Sequence, residues 1–165
     1  MPARPDPVAP ADDGARALAR GLLLQARHAA LAVIDPEIGG PGISRIGFGL
    51  DATGLPVALI SALSQHWTAL RANPQAALML GDPGPKGDPL THPRLMIRAH
   101  ARFIMRDTPD HATLRAAWLR QHPKAALYVD FTDFAFVRFT PQSALLNAGF
   151  GKAFRLTPED LAPAP

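Results

Sequence analysis

The chain contains no cysteine, which excludes disulfides and thiolate metal sites. Glutamate occurs only as Glu37 and Glu159. No paired carboxylates, Ser–His–Asp order or phosphate-cradling glycine loop stands out, so acid–base hydrolysis is not the expected trade. No apolar run approaches the roughly eighteen residues of a spanning helix. The first residues, Met1-Pro-Ala-Arg-Pro-Asp-Pro7, lack the charged start and apolar run of a secretory signal. A cytoplasmic protein without a membrane partner is the expectation. The net charge of +3 is scattered, with no Lys/Arg cluster, so nucleic acid is not an expected partner either.

An apolar fraction of 47% over 165 residues supports one domain with a real core. The 18 prolines, about twice the usual share, gather in the first ten residues, in loops and at the end. Residues 1–11 read as a disordered tail, and 12–162 as a single domain. An Asp-capped helix is signalled from Asp13, with Ala15, Leu18, Ala19, Leu22, Leu23 and Ala26 at helical spacing. Ala29–Ile34 reads as a strand, and Asp35–Gly42 as a loop rich in Gly and Pro breakers.

Ile43–Leu50 alternates, with Ser44, Ile46, Phe48 and Leu50 on one face and Ile43, Arg45, Gly47 and Gly49 on the other. Two strand glycines beside one arginine point to close approach by a ligand or another backbone. A turn at Asp51–Gly54 and a strand over Val57–Ser61 predict a hairpin with it. Ser64 caps a short helix that ends at Asn73-Pro74. Strands follow at Ala76–Leu80 and Leu95–Arg106, separated by a loop over Gly81–Leu90. Thr108-Pro109-Asp110 opens a helix that turns Leu114, Ala117 and Trp118 inward. Phe134–Thr140 and Ala144–Ala148 close the pattern. The fold class is α+β, mainly β: an antiparallel barrel with peripheral helices.

Chemistry gathers in Arg45, Ser61 and the turn Ser64-Gln65-His66-Trp67-Thr68. A phosphate calls for a guanidinium fork, hydroxyl donors and the free N–H groups of a helix start. Other roles compete at each position: a surface arginine at Arg45, a plain cap at Ser64, an exposed helix residue at His66 and a core position at Trp67.

Together with the aromatic run Tyr128–Pro141, the Gly149-Phe-Gly-Lys152 turn and the capped Thr157-Pro-Glu-Asp160 end, these residues resemble the pyridoxamine-phosphate-oxidase-related FMN-binding split barrels. The haem-utilisation branch is the nearest match. The resemblance implies a Greek-key split barrel and FMN as cofactor, and an oxidoreductase of unnamed substrate. It carries Arg45, Ser61, Gln65, His66 and Thr68 to the flavin phosphate. Ile46 and Ile60 are implied at the ribityl chain and ring, and Arg94 as a contact from the second subunit of a homodimer. The alternatives are a haem-binding or haem-degrading protein of the same fold, and a module that stores flavin without catalysis.

The six histidines show no helical metal pair. His28 reads as a helix-end residue, His111 and His122 as positions on a solvated helix, and His100 as water-facing. The haem-degrading relatives bind iron through a histidine near or beyond their C-terminal region. With none here after His122, weak haem binding or none through a histidine axial bond is expected. Asp130 and Asp133 match an acidic position near haem in that branch and equally fit turn and strand-start roles.

Overall fold

The structure, a computed structural model, describes residues 6–163. Its elements run β1 (Val8–Pro10), α1 (Asp13–Gln25), β2 (His28–Asp35), β3 (Gly40–Gly47), β4 (Gly49–Leu50), β5 (Pro56–Ser61), α2 (Gln65–Ala72), β6 (Gln75–Leu80), β7 (Arg94–Phe103), α3 (Pro109–Gln121), β8 (Phe134–Asn147), β9 (Ala153–Leu156) and α4 (Pro158–Leu161). No helix among the described residues is long and apolar enough to cross a membrane.

Pairing follows the order β1-β9-β8-β7-β6-β2-β3, with β5 joined to β8 and to β4. The ring β2-β3/β4-β5-β8-β7-β6 therefore closes, but β4 contributes only Gly49↔Val57 and Leu50↔Pro56. That short seam is the split in the barrel. Phe48 interrupts the strand there and donates its backbone N–H to the Arg27 carbonyl at 2.9 Å.

Caps that depend only on neighbouring residues form as their sequence signals. The Asp12 carboxylate accepts from the Ala15 N–H at 2.7 Å, one residue before the expected cap. Thr108 caps α3 with Pro109 behind it, and Thr157 and Asp160 form a reciprocal capping box on α4. Ser64 occupies the α2 cap position, but its hydroxyl instead donates to the Ser61 carbonyl at 2.6 Å.

Long-range pairing departs from several expectations. Val8–Pro10 lies within the expected tail, yet pairs parallel with Ala153–Phe154-Arg155 of β9; residues 1–5 lie outside the described residues. Gly40, Pro41 and Gly42 are strand rather than loop, because the turn from β2 takes only residues 36–39 and Asp35 holds the Glu37 N–H at 2.9 Å. The expected Ile43–Leu50 hairpin with β5 survives only at the seam. β3 pairs with β2 along its whole length, and β5 pairs mainly with β8. Phe134–Asn147 is one strand, not two: Arg98 pairs with Ser143 and Ala99 with Pro141, so Gln142 bulges and the proline is absorbed at the irregularity.

The apolar residues divide into two cores. The barrel interior holds Leu31, Ile46, Ile60, Leu78, Ile97, Val137, Phe139 and Leu146, closed at one end by Ala15, Ala19 and Leu23 of α1. A second core lies outside the barrel wall, where Val57, Leu59 and Phe136 meet Leu114 and Trp118 of α3. This explains why β5 is buried on both faces rather than alternating. Within the aromatic run Phe136 and Phe139 are fully buried, whereas Tyr128 and Phe131 stay exposed. Trp118 also accounts for the strand glycines. A Cβ on Gly47 would lie 3.2 Å from its ring; one on Gly49 would lie 3.3 Å from it and 2.9 Å from Gln121 Oε1. The close approach predicted there is a helix packing on a strand, not a ligand.

Candidate functional site

The residues expected at one site fall into two groups. Ser61, Gln65, His66 and Thr68 do gather, because a strand end runs straight into a helix start. The Ser61 hydroxyl donates to Asp133 Oδ2 at 2.8 Å and accepts from the Leu63 N–H at 3.1 Å. Gln65 Nε2 donates to Asp35 Oδ2 at 2.6 Å, and His66 Nδ1 lies 3.1 Å from Ser44 Oγ. Burial lowers the pKa of His66, which favours the neutral imidazole. Thr68 is exposed, at the edge of a shallow hollow of about 260 Å³ that also touches Asp35, Glu37 and Ala62. Two of the donors a phosphate would use here, the Ser61 hydroxyl and the Gln65 amide, are thus already bound by carboxylates, and no arginine among the described residues lines the hollow. Ile46 and Ile60 are core residues of the barrel, 5% and 2% exposed.

Arg45 and Arg94 belong to the second group. Arg45 pairs with Ala30, Ala30 with Met79, and Met79 with Met96, which sets all four on one face of the sheet. Arg94, two residues before Met96, shares that face, while Ser44 pairs with the buried Leu31 and points the other way. The face is the outside of the barrel. Its floor is small and apolar: Ala30 and Ala32 on β2 and Ala77 on β6 are half-buried, with Met79, Met96 and Leu145 around them. Arg45, Arg94 and Arg98 border this floor. Among the described residues the Arg45 side chain makes no hydrogen bond or ion pair, whereas Arg94 donates to the Leu90 carbonyl at 3.0 Å. Ile43, 77% exposed, and Met79, 48% exposed, show that no element among the described residues covers this side.

At the start of β2 the face deepens into a groove of about 690 Å³, lined by Arg27, His28, Ile43, Arg45, Met79 and Asp82 among others. His28 is not a helix-end residue. α1 stops at Gln25, Ala26 turns extended, and His28 opens β2 on the same face as Ala30 and Ala32. Its Nε2 lies 2.8 Å from Asp82 Oδ2. The signal was available in the sequence, since His28, Ala30 and Ala32 alternate with Ala29, Leu31 and Val33. The helical periodicity running up to Ala26 masked it.

The remaining histidines are placed differently from the sequence expectation in two cases. His111 is buried, with its ring edge-on to Phe136, and burial lowers its pKa. His122 stacks on Trp118 at 4.1 Å and sets Nε2 2.9 Å from the Phe48 carbonyl. His92 spends both ring nitrogens on its own loop, at Gly84 and Lys86. His100 is exposed, as its alternation with Arg98 and Arg102 predicts. The Gly149-Phe-Gly-Lys152 segment is a turn whose two glycines take φ of +124° and +71°, leaving Phe150 92% exposed at its tip.

The chain matches the family described as CREG, beta-barrel, over residues 10–161. It is 35% identical over 116 residues to the chloroplastic non-canonical heme oxygenase HOZ of Arabidopsis thaliana. That stretch covers 70% of this chain and 34% of the plant protein, so the chain spans about a third of this relative's length. The structure of a heme binding protein from Mycobacterium smegmatis is 26% identical, with a TM-score of 0.78 over 96% of this chain and 60% of that one. A protein from Clostridium acetobutylicum related to general stress protein 26, of the pyridoxinephosphate oxidase family, is 14% identical. It has a TM-score of 0.69 over 92% of this chain and 99% of that chain, a likeness of fold alone. The split-barrel architecture is thereby shared with heme-related proteins and with a protein of the pyridoxinephosphate oxidase family.

Proposed function

The chain belongs to the CREG β-barrel family, and from that premise we propose that it is a haem-binding protein whose site is the open face of β2, β3, β6 and β7. One observation carries the reading: an uncovered floor of alanine and methionine, edged by arginines, that runs into a groove of about 690 Å³. Haem is a flat apolar ring with two carboxylates. Alanines at 30, 32 and 77 let such a ring approach the strands closely, and guanidinium groups suit carboxylates at its edge. Arg45 and Arg94 hold the carboxylates in this reading, and Met79 and Ile43 pack on the ring. Bound iron would supply the redox chemistry; the chain binds, orients and shields the group. The similarity to a heme oxygenase extends the proposal to haem degradation, and the heme binding relative to storage or transfer.

A homodimer belongs to the same proposal. A ring lying on the open face leaves its second side to water, and a second copy of that face would cover it. The exposed Ile34, Ile43 and Met79 support this, as apolar surface that a monomer would leave wet.

FMN-dependent oxidation is the second reading, favoured by the fold likeness to a pyridoxinephosphate oxidase family protein and by the cluster at the start of α2. Asp35 and Asp133 oppose it, since they would meet a phosphate dianion with like charge. Parallel titrations decide between the two. The haem reading expects a saturable Soret shift at about one equivalent per chain and no quenching of FMN fluorescence. Saturable FMN quenching without a Soret shift would replace it with the flavin reading.

A further inference from the structure

We propose that a second cleft, between α1, the β4–β5 turn and the segment after α4, binds a small amphipathic carboxylate of the fatty-acid kind, with Arg20 holding the acid group. The proposal goes beyond the haem reading and does not rest on it. The cleft lies beside the end of the barrel that α1 closes, and it shares only Arg27 with the groove on the open face.

The cleft holds about 480 Å³, within the roughly 300–1,000 Å³ of small-molecule sites. Leu23 and Leu24 of α1 form one wall, Leu50 the facing one, and Leu161 an end. Leu23 and Leu161 are buried, whereas Leu24 beside them is 67% exposed. An alkyl chain laid along the cleft would cover that leucine and extend the buried apolar surface on either side of it. Pro163 lies over Gly54, where a Cβ would stand 2.7 Å from the proline ring, so the turn and the segment after α4 pack together and bound the cleft there.

Charge decides the head group. Arg20 Nε donates to the Asp160 carbonyl at 3.1 Å, and its two Nη atoms make no hydrogen bond or ion pair among the described residues. Arg27 donates only to the Leu24 and Ala26 carbonyls. Asp51, which also lines the cleft, has its carboxylate occupied by Arg138, Thr53 and Leu55. The Asp160 carboxylate is likewise taken up by Arg16 and Thr157. Two arginines without an acidic partner therefore stand beside an apolar wall. A guanidinium edge with free N–H groups suits a carboxylate, and the leucines suit its chain.

The test titrates the whole chain by calorimetry with sodium dodecanoate below its micelle concentration, and with dodecyltrimethylammonium as the cationic counterpart. Wild type should bind dodecanoate saturably, with one site per chain, and the cation without saturation. Leu24→Glu sets a carboxylate one helical turn from Arg20 and removes part of the apolar wall. Its dodecanoate affinity should fall by about tenfold or more, while its haem titration superimposes on that of wild type. Arg20→Gln should weaken dodecanoate to a similar degree, and Arg20→Lys should restore part of the loss. Leu63→Glu, at an exposed leucine outside the cleft, should match wild type, and circular dichroism of each variant establishes folding. Equal binding of the cationic amphiphile, or undiminished dodecanoate binding by folded Leu24→Glu and Arg20→Gln, overturns the proposal. No saturable dodecanoate binding in wild type overturns it too; if Leu24→Glu then changes the oligomeric state, the cleft belongs to a second copy instead. None of these outcomes alters the haem reading, which stands or falls on its own titration.

Discussion

The two sides of the barrel wall are built to opposite ends. On the β5–β8 side, α3 packs Leu114 and Trp118 over Val57, Leu59 and Phe136, and the glycines at 47 and 49 admit the indole ring. On that side Arg138 bridges Asp51 at 2.7 Å and Asp110 at 2.7 Å, tying the β4–β5 turn and the start of α3 to β8. On the β2–β3–β6–β7 side no helix intervenes among the described residues, and the strands carry alanine, methionine and arginine instead. A wall that buries large side chains on one flank and presents small ones with cations on the other has been sealed once and left open once. The sealed flank supplies stability. The open flank presents an uncovered apolar floor edged by cations.

The largest effects are expected on the sealed flank. Trp118→Ala should cost about 3–5 kcal/mol, the range for emptying an aromatic site in a core. Chemical denaturation measures this, and a loss below about 1 kcal/mol would mean that α3 is not a structural seal. Trp118→Phe should cost much less, because among the described residues the indole Nε1 is buried without a partner and the change removes that burden.

Arg138→Met should cost about 1–3 kcal/mol, since it removes the cation from Asp51, whose carboxylate keeps only its bonds from Thr53 and Leu55. Burial acts to raise the pKa of Asp51, but bonds from Thr53, Leu55 and Arg138 outweigh it and hold the group below the ordinary carboxylate range. A carboxylate with a depressed folded pKa gives stability that is present above the unfolded value, about 4, and lost as pH falls through the folded one. Wild type should therefore lose stability below about pH 4, and Arg138→Met should show a shallower loss there. Parallel denaturation curves between pH 2 and 7 read this directly, and identical slopes would remove Asp51 from the account.

On the open flank the comparison sharpens. Arg45→Ala should leave the unfolding midpoint nearly unchanged, within about 0.5 kcal/mol. Its haem affinity should fall by about ten- to hundredfold, the equivalent of about 1.5–3 kcal/mol for a lost contact to a charged group. Equal haem affinities would place the carboxylates elsewhere. Gly49→Ala should do the reverse, costing about 1–3 kcal/mol through overpacking against Trp118 and Gln121 while sparing haem binding. A change in haem affinity with no loss of stability would join the two flanks into one site.

What the sequence made legible follows from how local each signal is. The caps of α1, α3 and α4 act within one helical turn, and the core stripe Ala15, Ala19 and Leu23 follows from helical spacing alone. Ser61, Gln65, His66 and Thr68 were legible as a group because five residues of chain hold a strand end against a helix start. Arg45 was grouped with them on the assumption that its strand pairs with β5. Alternation correctly separated Arg45 from Ser44, but only closure of the ring shows which face is inside. The seam takes just two residues of β4, while the tight turn at 36–39 gives the full length of β3 to β2. β9 and the parallel β1 are too short to show a period, and the bulge at Gln142 concealed that β8 is continuous. His28 and Asp82 lie 54 positions apart, and their contact has no sequence signature.

The central claim, that the open flank is the haem site, is met most directly by a charge placed in its floor. Ala77→Glu sets a carboxylate between Ala32 and Arg98, its direct neighbours across β2 and β7, and leaves both cores untouched. Haem titration of this variant beside wild type, with unfolding midpoints measured on the same preparations, gives the answer. The account predicts an affinity at least about tenfold weaker at a midpoint within about 0.5 kcal/mol of wild type. An unchanged affinity at an unchanged midpoint would contradict it and move the haem off this face.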